Sequence, residues 1–161
     1  CGVRVGTGVD FHAFGPGSAL VLGGVTIPHT RGVVAHSDGD VLLHALVDAM
    51  LGAVALGDIG EHFPDTDPQW RGAASSRFVA AALELLARRG WSIGNVDLTL
   101  IAQQPRIAPW REPVRQSVAR MLGLAPDAVN LKATTTEHLG FLGRGEGIGA
   151  MATVLVFRAE A

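Results

Sequence analysis

The chain reads as an α+β fold, with helices on one face of a mostly antiparallel or mixed sheet in a ferredoxin-like arrangement. Two late segments alternate cleanly. Val96, Leu98 and Leu100 share one strand face while Asn95, Asp97 and Thr99 share the other. Val129, Leu131 and Ala133 likewise oppose Asn130, Lys132 and Thr134. A sheet wound with helices on both sides would be apolar on both faces. One apolar and one polar face instead put helices on one side and solvent or a partner subunit on the other. The length of 161 residues fits one domain spanning 1–161, large enough for a core.

The elements follow in order. Val3 to His12 reads as a strand. Ala19–Leu22 and Val25–Ile27, split by Gly23-Gly24, read as a hairpin. Ser37-Asp38-Gly39-Asp40 has capping-box spacing and predicts a helix running to about Leu56. Gly57 to Pro68, rich in Gly, Asp and Pro, predicts a loop. Ser75 to Arg89 has helical periodicity and stops at Gly90. Ile93 to Ala102 alternates as a strand. Pro105 and Pro109 bound a loop, and the helix after it runs to Leu122 with Gly123 as its stop. Val129 to Thr134 and Ile148 to Phe157 complete the strands. The glycine-dense stretch Gly140 to Gly147 precedes a strand rather than a helix, so it is no dinucleotide fingerprint. It reads as a hairpin loop or a ligand contact.

Composition excludes several classes. A hydrophobic content of 48% and a positive mean hydropathy exclude a disordered chain. No apolar run reaches membrane-spanning length without a charge or glycine. The first residues read as a strand and not as a signal peptide. Cys1 stands where methionine is expected, which points to a trimmed or altered N-terminus. A single cysteine permits no intramolecular disulfide and fits a reducing compartment. The net charge of −2 gives no global attraction for an anion or nucleic acid. Local cations must supply it if the substrate is anionic. Of the basic residues all but Lys132 are arginine, so Lys132 marks either a site needing a compact ammonium or a chance of composition.

The chemistry concentrates in two segments. Asp10-Phe11-His12 and His36-Ser37-Asp38-Gly39-Asp40, with His44 four residues on, bring imidazoles and carboxylates together. These are the ligands of a borderline-soft divalent metal such as zinc. Asp10 and His12 are two apart, so both face one side of a strand. His44 lies in a helix apolar on nearly every side, so it and Asp48 need partners there. Three ligands with an open fourth position is the pattern of a catalytic site. The plainer alternative is a set of hydrogen-bonded core histidines.

Taken in order, Asp10-x-His12, His36-Ser37-Asp38-Gly39-Asp40-x-x-x-His44-Ala45, Gly57-Asp58-Ile59-Gly60, Phe63-Pro64-Asp65-Thr66-Asp67-Pro68, Ala133-Thr134-Thr135-Thr136-Glu137 and Gly143-Arg144-Gly145-Glu146-Gly147 resemble the 2-C-methyl-D-erythritol 2,4-cyclodiphosphate synthase family. The resemblance covers essentially the whole chain. It implies an enzyme of non-mevalonate isoprenoid biosynthesis, a phosphorus-oxygen lyase. Such an enzyme converts 4-diphosphocytidyl-2-C-methyl-D-erythritol 2-phosphate to the 2,4-cyclodiphosphate and releases CMP. By the family pattern Asp10, His12 and His44 hold zinc, and Glu137 helps hold magnesium or manganese. His36 and Thr135 stabilise the transition state. Asp10, His12, His36, Ser37, Asp58, Ile59, Gly60, Phe63, Pro64, Asp65, Thr66 and Asp67 line the erythritol and phosphate side. Ala102, Gln103, Gln104, Pro105, Arg106, Ile107 and Ala108, with Thr134, Thr135, Thr136 and Glu137, surround the cytidine diphosphate. Phe141 and Arg144 are further substrate contacts.

The resemblance also implies a homotrimer with active sites between subunits, no nucleic-acid or membrane partner, and the cytoplasm of a bacterium as the compartment. A plastid is the alternative for a chain that has shed a transit peptide. The residues fit this chemistry independently, because an internal phosphate is its own nucleophile and no activated Ser or Cys is evident. Departures from the pattern are small: Ala74, Arg106 and His138 stand where the family often has Asp, Lys and Lys. Two rival readings are a zinc-containing phosphohydrolase and a non-catalytic trimer that binds an isoprenoid phosphate.

Overall fold

Residues 2–158 are described by the computed structural model, so the expectation about Cys1 lies outside the described residues. The chain opens with a long strand, β1 (Val3–Gly15), followed by the hairpin strands β2 (Ala19–Leu22) and β3 (Val25–Pro28) and a short β4 (Gly32–Val33). Gly23 and Gly24 form the hairpin turn with φ of 60° and 81°. This left-handed pair is what a two-residue turn between twisted strands requires. Helix α1 (Val41–Ala53), the short α2 (Ile59–His62) and α3 (Ser76–Arg88) follow. Then come β5 (Trp91–Ile101), α4 (Arg111–Leu122), β6 (Val129–Thr134), the short α5 (Gly140–Gly143) and β7 (Gly147–Arg158).

The main sheet has the order β4-β1-β7-β5-β6. All of its pairings are antiparallel except β5 with β6, which is parallel, so the sheet is mixed. Helix α1 packs on β1 and β7, α3 beside α1 and β5, and α4 against β6, all on one face. The alternation is borne out in β5 and the start of β6, where Val96, Leu98, Leu100, Val129 and Leu131 are buried and Asn130 and Lys132 face outward. Ala133, expected on the apolar face, is exposed because β6 ends there at a cleft. On the outward side Lys132 and Asn130 both bond to Asp97.

Several boundaries differ from the sequence reading for physical reasons. Helix α1 does not run to Leu56. It ends at Ala53, Ala55 takes a φ of 58°, and the amide of Leu56 returns to Leu51 O. The capping box is also corrected. Asp40 is itself the N-cap, accepting from Leu43 N at 3.1 Å, and Ser37 lies three residues before that cap. The expected loop 57–68 contains α2, capped by Asp58 on Glu61 N, and leads into a 3-10 turn at Pro68–Trp70. Strand β5 begins two residues early, at Trp91. A bulge around Gly94 resets the alternation, so the simple period-two pattern starts only after it. The glycine-dense 140–147 stretch contains α5 rather than an open hairpin loop.

Two features seat α1. The fully buried Asp40 also accepts from the hairpin amides of Gly23 at 2.9 Å and Gly24 at 2.7 Å, tying hairpin and helix together. Burial pushes its carboxyl up to about 6, against the pull of the Gly24, Leu43 and Gly23 amides. On the sheet side Gly6 and Gly8 lie under the backbone of α1 at Ala49 and Ala45, where no Cβ would fit. The next inward residues of β1 are Asp10 and His12, so the close approach that glycine permits brings His44 to them.

Candidate metal centre and its two clefts

Strand β1 presents Asp10 and His12 on its inward face, as the two-residue spacing requires, and α1 brings His44 down beside them. His12 Nε2 and His44 Nδ1 are 3.3 Å apart. Asp10 Oδ2 lies 3.0 Å from His12 Nε2 and 3.4 Å from His44 Nδ1. Four ligands at 2.0–2.1 Å around a tetrahedral ion are spaced about 3.3–3.4 Å from one another. The three atoms thus form one face of such a shell. Asp10 Oδ2 is buried and has no well-directed hydrogen bond despite its two close nitrogens. That is the state of an oxygen aimed at a common centre rather than at a donor. The donor set and its spacing therefore fit a metal ion. Burial would raise the Asp10 carboxyl, but the His12 and His44 imidazoles beside it outweigh that and bring the group down to about 2, ready to ligate as carboxylate.

The remaining ring nitrogen of His44 is also engaged. Nε2 lies 2.9 Å from Ser75 Oγ and 3.1 Å from Ser37 Oγ. Asp48, the other polar residue of the apolar helix, accepts from Ile59 N at 2.7 Å. Both groups expected to need partners have them.

A cleft of about 440 Å³ opens beside the cluster. It gathers His12, His36, Ser37, His44, Ile59, Gly60, Phe63, Pro64 and Asp65 of the predicted site, together with Ala35, Trp70 and Phe78. His36 Nε2 donates to the carbonyl of Asp67 at 3.3 Å, which draws Asp67 to its rim. Phe63, Trp70 and Phe78 stack at centroid distances of 4.9–5.3 Å and wall the cleft behind His44. Asp58 caps α2 at the edge of this wall, and Thr66 sits in the turn that follows Asp65.

A second cleft of about 540 Å³ lies elsewhere on the chain. It gathers Ala102, Gln103, Gln104, Pro105, Arg106, Ile107, Ala108, Thr134 and Thr135 with Ala133, Arg111 and His138. Gln103 Oε1 accepts from Thr136 N at 3.1 Å, fixing one loop on the other. Glu137 follows, exposed, at a φ of 54° that its Thr135 Oγ1 contact helps hold. His36 and Thr135 therefore line different clefts of one chain. Phe141 and Arg144 line neither. Phe141 meets Phe11 edge to face at 5.8 Å, and Arg144 pairs with Glu146 at 2.5 Å.

Sequence reasoning missed Ser75, Arg111, Trp70 and Phe78, and gave Asp38 no task of its own. Trp70 and Phe78 read as ordinary apolar residues. Ser75 reads as a helix start, and only the fold shows its hydroxyl turned toward His44.

The YgbB family model matches residues 3–157 of the chain. The 2-C-methyl-D-erythritol 2,4-cyclodiphosphate synthase of Xylella fastidiosa is 56% identical over 156 residues, covering 97% of this chain and 89% of that protein. The bifunctional IspDF of Campylobacter jejuni superposes with a TM-score of 0.94 at 41% identity over 98% of this chain. This chain spans only 43% of that longer one. The IspF of Plasmodium falciparum, solved as a CDP complex, superposes with a TM-score of 0.87 at 33% identity, covering 99% of this chain and 98% of that one.

Proposed function

The chain belongs to the YgbB family, and from that membership and the Asp10–His12–His44 cluster we infer its reaction. It converts 4-diphosphocytidyl-2-C-methyl-D-erythritol 2-phosphate to 2-C-methyl-D-erythritol 2,4-cyclodiphosphate and CMP. The observation that carries the reading is a three-ligand metal face opening into a cleft with His36 and Ser37. An oxygen of the 2-phosphate attacks the β-phosphorus. One phosphorus–oxygen bond forms, the bond from the β-phosphorus to the bridging oxygen breaks, and the electron pair leaves on CMP. The protein needs no nucleophile of its own, only in-line positioning and cover for negative charge.

Each side chain has a task in that scheme. Asp10, His12 and His44 would hold zinc, and Glu137 would offer a carboxylate to magnesium or manganese. When bound, the two ions neutralise charge on the phosphates and polarise their oxygens. His36 and Thr135 donate to the phosphoryl oxygens as charge builds. Ser37, Asp58, Ile59, Gly60 and the Phe63–Asp67 loop hold the erythritol half. The 102–108 loop with Thr134 and Thr136 takes the cytidine half, in keeping with the CDP complex of the Plasmodium falciparum relative.

The two halves of this site lie in separate clefts of one chain, so the assembly must join them. A homotrimer, in which one subunit's first cleft meets its neighbour's second, meets that need. The outward face of β1 supports it, since Val5, Val9 and Phe11 are 45–61% exposed on a sheet surface. We place the enzyme in the bacterial cytoplasm as one domain. Among the described residues no helix is long and apolar enough to cross a membrane. The test is product analysis with the cytidyl substrate. The cyclic diphosphate plus CMP, lost on chelation and restored by metal, supports the reading. Inorganic phosphate, or no turnover, overturns it.

A further inference from the structure

We propose that Ser75 and Asp38 are positioning residues that fix the tautomer of His44 and so set the metal affinity of the centre; this rests on the metal reading given above. Ser75 is fully buried and precedes α3 at the N-cap position, where a serine ordinarily accepts from a helix amide. It makes no such bond. Its hydroxyl instead lies between His44 Nε2, at 2.9 Å, and the carboxylate of Asp38.

The directions of these bonds follow from chemistry. An ionised carboxylate only accepts, so the Ser75 hydroxyl donates to Asp38 Oδ1. The same carboxylate accepts from Ser75 N at 3.0 Å and Asp40 N at 3.1 Å, which holds both of its oxygens in place as acceptors. With its proton committed, Ser75 Oγ is left to accept from His44, so Nε2 carries the hydrogen. In a neutral imidazole the lone pair then sits on Nδ1. Nδ1 is the atom that faces Asp10 and His12. Ser37 Oγ, 3.1 Å from Nε2, shares the same hydrogen while accepting from Gly39 N. The loops carrying the relay are pinned together by Gly72 N to His36 O at 2.7 Å and Asp38 N to Ala73 O at 3.0 Å. Carboxylate, hydroxyl and imidazole thus form a chain ending at a metal-ligating lone pair, and such outer partners set ligand orientation and basicity.

Two variants of the full chain separate this from packing. Ser75→Ala removes the acceptor. Asp38→Asn keeps the shape but offers an N–H to Ser75, which turns the hydroxyl toward His44 and favours a proton on Nδ1. Zinc affinity is measured by competition with a chromophoric chelator, with far-UV circular dichroism as the check on folding. The tautomer of His44 in the metal-free wild type and in Asp38→Asn is read from long-range ¹H–¹⁵N spectra at pH 8. The expected result is about 10- to 100-fold weaker zinc binding in both folded variants. The wild type should show an Nε2–H imidazole, and Asp38→Asn a shift toward Nδ1–H. Variants that bind zinc as the wild type does, or a wild-type His44 protonated on Nδ1, overturn the relay and leave the metal reading standing. A wild type that binds no zinc overturns the metal reading and the relay with it. If Ser75→Ala fails to fold, the wild-type tautomer and the isosteric Asp38→Asn decide alone.

Discussion

Gly8 lies directly beneath the carbonyl of Ala45, so closely that a Cβ on Gly8 would overlap that oxygen and the amide of Ala49. The obstacle is helix backbone, which cannot rotate away. Gly8→Ala must therefore lift α1 off β1 and carry His44 from Asp10 and His12. We expect a loss of about 1–3 kcal/mol of stability, as for overpacking of a close-packed core, together with weaker metal binding. Gly52→Ala is the control. It lies in α1 with nothing within 4 Å of the added atom, and should gain about 0.5–1 kcal/mol by helix propensity. Urea midpoints and zinc content check both; equal behaviour of the two variants would refute the account.

This relationship also shows what the sequence could and could not tell. Glycines in a strand pattern are visible, but which helix lies over them is a tertiary fact. The strand spacing of Asp10 and His12, the apolar surroundings of His44 and the alternation of Val96 to Leu100 report local periodicity, and each was legible. The end of α1 was not, because Ala53, Val54, Ala55 and Leu56 are equally apolar and only the left-handed turn at Ala55 stops the helix. The pairing of Lys132 with Asp97 could be read from strand order. Ser75 could not, since its partners lie 31 and 37 residues upstream.

Asp40 should behave as a buried switch of stability. Its carboxyl is raised from the ordinary 3.8 to about 6 in the folded chain, chiefly by burial. A raised folded value means that the folded state holds the proton more tightly. The associated stability is present below pH 3.8 and lost as pH rises through about 6. Asp40→Asn cannot titrate, and its NH2 must replace one of the two accepting oxygens, setting an N–H against either the amide of Gly24 or those of Gly23 and Leu43. We expect it to be destabilised by about 1–3 kcal/mol for the unsatisfied donors, with a deficit larger at pH 4.5 than at pH 7. Denaturant unfolding of both proteins at the two pH values tests the sign. A deficit that grows with pH would contradict it.

Lys132 and Asp97 form an exposed pair whose two side chains are 55% and 41% accessible in the single chain. Their hydrogen bond, aided by Asn130, holds the Asp97 carboxyl below its ordinary value. Its contribution is therefore present at neutral pH and lost in acid, as pH falls through that lowered value. An exposed pair contributes about 0–1 kcal/mol, so Lys132→Met should barely change the stability of an isolated subunit. In a trimer that covers this face, the same change should weaken assembly. Sedimentation equilibrium should show three chains for the wild type and concentration-dependent dissociation for the variant. An active wild-type monomer would dispose of the assembly proposal.

On the proposed reading the two metals should be separable, because the residues proposed to hold them lie apart. His44 belongs to the one cluster of three ligating groups found among the described residues, whereas Glu137 stands exposed beside the second cleft. Glu137→Gln removes one charge and preserves shape, so it should raise the magnesium or manganese requirement and leave zinc content near the wild-type value. His44→Ala should abolish zinc binding. It should also cost stability, because it empties a half-buried position where the ring packs against His12 and Phe78. Both should slow CMP release, since each removes positive charge from the reacting phosphates. Excess magnesium should rescue Glu137→Gln in part, and no amount of it should rescue His44→Ala. Metal analysis beside turnover decides the matter: a Glu137→Gln protein without zinc, or one with normal turnover at limiting magnesium, would mean that the two sites are not distinct.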